Sequence, residues 1–170
     1  MKSHELFQRM SPALAAEVFT FLHQEQKPVY KAAIQGLANQ RNLRGIFIER
    51  KPRDERHAWM KNALSRPVSD SLASHLLQGW LLGANKQMLN DFLDALGIVH
   101  EEDGTVEEVP ASPPKEQIAA AIALLLGKYP AETVAIYLHA FRDMDSNVQW
   151  APLNELLEAT PELRLAAAPS

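Results

Sequence analysis

The sequence predicts an all-α protein: stacked antiparallel helical hairpins, a repeat-like array of six to eight short helices. Three observations predict it. The first is a threefold echo. Leu14-Ala15-x-x-Val18-x-x-x-Leu22 recurs as Leu72-Ala73-x-x-Leu76-x-x-x-Trp80 and as Ile118-Ala119-x-x-Ile122-x-x-x-Leu126. The second is a break after each echo, at Lys27-Pro28, Asn85-Lys86 and Tyr129-Pro130. The third is a second apolar stripe after each break: Tyr30/Ala33/Ile34/Leu37, Leu89/Phe92/Leu93/Leu96 and Val134/Tyr137/Leu138/Phe141. Apolar residues three and four apart lie on one helix face, so each stripe marks a helix that must bury that face.

The elements follow in order. Ser11 caps the first helix and Pro12 suits its first turn, so the helix runs to about Gln24. Pro28 opens its partner, which ends between Asn39 and Asn42. Leu43 to Glu49 reads two ways, as a short strand or an irregular buried segment. Gly45 weakens a helix, and Ile46-Phe47-Ile48 favours extended structure. Pro52 ends that segment. Asp54 to Leu64 is a helix that exposes Arg56 and Lys61 and buries Trp59, Met60 or Leu64. Ser69 or Asp70 caps the next helix, to about Leu82, with Leu72, Leu76, Trp80 and one of Leu77 and Leu81 inward. Lys86 to Leu96 follows, closed by Gly97.

Ile98 to Val106 holds Asp103-Gly104 between β-branched residues, so at most one minimal β-hairpin is expected at 98–106. The stretch 101–114 is an acidic, flexible connection, in which Pro110, Pro113 and Pro114 forbid regular structure. Ile98, Val99 and Val106 are expected to anchor its start. Ser112 or Pro113 begins the next helix, Pro130 begins its partner, and a last helix spans Val148 to Ala159. The tail 166–170 is expected to fray. The hairpins are thus 11–42, 69–97 and 113–143, within a single domain of residues 1–170. Echo spacings of 58 and then 46 residues, and a failed match to the tetratricopeptide pattern, leave the repeat without a family.

Composition narrows function mainly by exclusion. There is no cysteine, hence no disulfide, Cys-based metal site or Cys nucleophile. The longest apolar run, Ile118 to Leu126, is too short to span a bilayer. Met1 to Glu5 holds no apolar signal core, so a cytoplasmic location and no membrane partner are expected. Phosphate-binding glycine motifs, the H-E-x-x-H zinc pattern and the G-x-S-x-G elbow are all missing. No catalytic, cofactor-binding or metal-ligating residue is assigned. Asp143 to Asn147 begins like a calcium loop, but Val148 replaces the required glycine and Asn154 the bidentate glutamate. His139 and Asp143 share a helix face, which is too few ligands for a metal.

Charge is the remaining signal. Residues 1–66 carry twelve Lys/Arg against six Asp/Glu, and residues 67–170 five against fifteen. Arg50, Lys51, Arg53 and Arg56 form the densest basic run and are expected to face solvent. Phe47 and Trp59 beside them are expected to be buried. Trp150, after a polar stretch, is the tryptophan most open to partial exposure and joins these four as a possible interaction surface, although a core place is the favoured reading. The reading is a non-catalytic protein–protein interaction or scaffold domain. The alternative is a nucleic-acid or phosphate-polymer binder acting through the basic half, disfavoured because Asp54 and Glu55 interrupt the run. An enzyme with an unrecognised site comes third.

Overall fold

A computed structural model describes residues 1–143 and 150–167. Among them every regular element is helical, as the fold class requires. The chain packs as two compact units, Lys2–Trp80 and Leu81–Leu165. The first carries twelve Lys/Arg against seven Asp/Glu, the second five against fourteen. They are the basic and the acidic unit below.

The basic unit opens with a helix the echo does not contain, α1 (Ser3–Arg9). Glu5 explains it: its carboxylate accepts the backbone N–H of Lys2 at 2.6 Å, satisfying a donor that a helix start leaves open. Leu6 and Phe7 are the buried face. Then α2 (Pro12–Glu25) starts where Ser11 accepts the N–H of Leu14 at 3.1 Å. It packs on α3 (Lys27–Asn39) as a hairpin. Next come α4 (Gly45–Glu49) and α5 (Arg53–Leu64), both against α3. The start of α6 (Asp70–Ala84) completes the unit with buried Ala73, Leu76, Leu77 and Trp80.

The acidic unit takes the end of α6, then α7 (Lys86–Ala95), α8 (Lys115–Lys128), α9 (Ala131–Asp143) and α10 (Ala151–Ala159). Its centre is α9, buried without a break from Thr133 to His139. That helix packs on α10 and on the 3₁₀ turn Pro161–Leu163. Phe92, Tyr137, Phe141 and Trp150 form a chain of ring contacts at 5.3 to 6.1 Å.

Several expectations change. Residues 43–49 form no strand; 43 and 44 are irregular and 45–49 make one helical turn, because Gly45 lets the backbone close on α3. A Cβ at Gly45 would lie 2.7 Å from the Gln35 side-chain oxygen. Between 98 and 106 there is a turn and no strand. Glu101 N–H bonds the Thr105 carbonyl at 2.8 Å, and Gly104 sits at φ +89°, where L-residues are strained. Ile98 is buried as expected, but Val99 is 91% exposed. Adjacent residues of an extended segment face opposite ways, so the chain anchors one and presents the other. From Glu107 to Pro114 no regular structure forms, and α8 begins only at Lys115, after the two prolines. The last helix begins at Ala151; its expected start at Val148 and the rest of the calcium-like stretch, 144–147, lie outside the described residues. Val18, Leu76 and Ile122, the equivalent echo positions, are all buried. Any amphipathic helix requires that, so burial alone does not make them repeats.

Candidate interaction surface

The basic run is built by two tight connections. Where α3 ends, Asn42 adopts φ 54° and the N–H of Leu43 returns to the Ala38 carbonyl at 2.9 Å. A short polar residue tolerates that left-handed conformation and closes the helix. The chain then enters α4, a single turn with two faces. Gly45 and Ile48 are buried. Leu43 is 39% exposed, Ile46 46% and Phe47 58%. Phe47 is thus not the buried ring the sequence predicts. A five-residue turn cannot bury three consecutive apolar residues, because they spread over about 200° of the helix.

Cations flank this apolar knob in the sequence. Arg44 and Arg50 are exposed and Lys51 half-exposed. Arg53 is exposed, with its guanidinium donating to Thr20 Oγ1 at 2.8 Å. Arg56 is half-buried and structural. It donates to the carbonyls of Glu49 at 3.2 Å and Lys51 at 3.4 Å, capping α4 and holding the Arg50–Lys51 turn. Among the described residues, no carboxylate forms an ion pair with Arg44, Arg50, Lys51, Arg53 or Arg56. Trp59 is half-buried, with the Arg41 guanidinium 5.6 Å from its ring centre. Below the patch, His57 packs on Phe19 at 5.5 Å. Burial first, then Arg56 and Arg53, hold its pKa below the ordinary histidine value.

Trp150 is not part of this surface. Its ring is 2% exposed in the acidic unit, and its indole N–H donates to the Pro110 carbonyl at 3.1 Å. A tryptophan gains most when its ring is buried and its N–H finds an acceptor; Pro110 supplies that acceptor. The sequence missed Leu43, Ile46 and Phe47. The usable signal was an apolar triplet after a glycine, flanked by Arg44 and Arg50, on a segment too short to bury it.

The acidic unit carries a pocket of its own. Residues 97–110 enclose an open pocket of about 380 Å³, lined by Ile98, Val99, Glu101, Glu107, Glu108 and Pro110 among others. Its frame is specific. Gly97 closes α7 at φ 67°, and Asn90 donates to the Glu102 carbonyl at 2.9 Å. The His100 ring bridges the Glu101 carbonyl at 2.6 Å and the Asp94 carboxylate at 2.7 Å. Two acceptors require both ring nitrogens to donate, which is the imidazolium form. Its pKa is accordingly raised, first by the bond to the Glu101 carbonyl and then by Asp94.

No group of three or more His, Asp or Glu side chains able to hold a metal occurs among the described residues. His139 is occupied otherwise: its Nε2 lies 3.1 Å from the Leu163 carbonyl, fixing the turn after α10. No described helix is long and apolar enough to cross a membrane. No family model matches this chain, and neither a curated protein nor a solved structure does.

Proposed function

We propose that this protein is a non-catalytic docking domain that binds a protein partner through the knob of α4. One observation carries the reading: Leu43, Ile46 and Phe47 are exposed in a segment flanked by cations that, among the described residues, have no ion-pair partners. Exposed aromatic and aliphatic groups gain free energy when a partner covers them, and binding energy concentrates in such central anchors. The cations select the partner. An acidic surface with an apolar recess matches the patch, and its field speeds and orients encounter. A phosphate polymer suits it less, since its backbone offers nothing apolar to cover Phe47.

Affinity capture from the source cells tests this, using the full chain and its Phe47→Asp variant, each with and without nuclease. Wild-type bait should retain a nuclease-resistant protein that cross-links to Lys51, and the variant should lose it. Capture that disappears with nuclease would transfer the assignment to nucleic-acid binding. Capture unchanged by Phe47→Asp would remove the knob from the reading.

A further inference from the structure

We propose that the partner is a second copy of this chain, with the α4 knob of one copy seated in the 97–110 pocket of the next. The proposal rests on the docking reading above and names its occupant. Shape is the first argument. The knob is a single helical turn with Ile46 and Phe47 exposed, and the pocket is concave, with Ile98, Val99 and Pro110 in its wall. Val99 has almost nothing of this chain over it, so both sides offer uncovered apolar surface. Charge is the second argument. Arg44, Arg50 and Lys51 flank the knob; Glu101, Glu107 and Glu108 line the pocket. The pocket's one cationic group among the described residues, His100, is already held by Asp94 and the Glu101 carbonyl, so it does not compete for those glutamates. Opposite potentials meeting across an interface select this pairing over knob-to-knob and pocket-to-pocket contacts, which place like charges together.

The contact is heterologous: different surfaces meet. Such a contact adds copies head to tail and ends only if the rotation closes a ring. An open chain of copies then keeps one free knob at one end and one free pocket at the other. Assembly should therefore grow with concentration and weaken with salt, because its steering charges are solvent-exposed.

Sedimentation velocity of the full chain tests this, from about 1 to about 300 μM, a span that brackets the affinity of a modest interface. Wild type should exceed its single-chain mass of 19.0 kDa increasingly with concentration, less so in high salt. Phe47→Asp should remain monomeric, and so should Glu107→Lys with Glu108→Lys. Arg50→Glu with Lys51→Glu disables the knob by a second route, should the Phe47 variant lose its helical circular dichroism. The decisive arm mixes the knob-disabled and pocket-disabled proteins. One intact knob and one intact pocket remain, so the mixture should form dimers and stop there. Monomeric wild type throughout, growth that survives both knob variants, or a mixture that stays monomeric overturns the proposal. If wild type is monomeric but Phe47→Asp still loses its cross-linked cellular partner, docking stands and only the identity of the occupant falls.

Discussion

The two units differ in what their excess charges bind. In the basic unit, cations reach carbonyls: Arg56 caps α4, and the Lys61 ammonium donates to the Gln8 carbonyl at 3.4 Å near the end of α1. In the acidic unit, carboxylates collect donors. Asp91 accepts from Lys128 at 2.7 Å, Tyr129 at 2.5 Å and Gln87 at 3.0 Å, and Asp103 accepts the N–H of Thr105 at 2.9 Å. Helix ends carry partial charge, negative at the carbonyl end, which favours the cations near the ends of α1 and α4. The charges left over face outward. In the basic unit they flank an apolar knob, and in the acidic unit they line a pocket.

The comparison breaks most visibly in the cores. Ile136 is fully buried on α9 of the acidic unit, and Val18 fully buried on α2 of the basic unit. Replacing either with Asp buries an unpaired charge, at a cost of about 4 kcal/mol or more. If residues 1–170 fold as the single domain proposed from the sequence, either variant should raise amide hydrogen exchange in both units together. Exchange confined to the mutated unit would make them two domains.

A smaller effect separates two glycines of the acidic unit. At Gly97 the backbone is left-handed, and a Cβ would meet nothing within 4 Å. Gly97→Ala should cost about 1–2 kcal/mol, the conformational penalty alone. At Gly104 a Cβ would lie 2.7 Å from Leu89 Cβ. Chemical denaturation should therefore find Gly104→Ala the more destabilising of the two, since backbone strain and contact add.

Asp91 sharpens the charge contrast. Burial pushes its pKa up, but the donors on Lys128, Tyr129 and Gln87 outweigh that and hold it below the usual carboxylate value. Its contribution is present above the unfolded carboxylate pKa and is lost as pH falls through the lower folded value. Burial and the Asp91 carboxylate in turn push the Tyr129 hydroxyl up to about 12. Tyr129→Phe should cost about 1–2 kcal/mol at neutral pH, as expected for a hydrogen bond to a charged group. Acid melts should show that deficit shrinking as Asp91 protonates.

The smallest effect belongs to His100. Its pKa is raised, so its stabilisation is complete below the unfolded histidine value and lost as pH rises through the folded one. Asp94 is well exposed, so the gain in stability is slight. An NMR titration should place His100 above an ordinary histidine and find it lower in Asp94→Asn. No change in that variant would mean that the ring is held by the Glu101 carbonyl alone.

The sequence by itself determined most of the helices, though not α1 or the single turn of α4. Ser11-Pro12, Pro28, Asn85-Lys86 and Pro130 mark starts that local backbone chemistry enforces, and the stripes between them fix which face is buried. It also determined the irregular 107–114 connection, because prolines there leave no alternative. Tertiary structure alone decided what a short segment does with its apolar residues. Ile48 and Ile98 turn inward while Phe47 and Val99, their sequence neighbours, turn outward. Nothing in composition separates the members of each pair. The choice depends on where Gly45 meets Gln35, and on how Gly97 turns the chain at the end of α7. Trp150 shows the same limit. Its polar flank suggests exposure, but the Phe141 ring beside it and the Pro110 carbonyl, forty residues away, give it a buried place that only the folded chain creates.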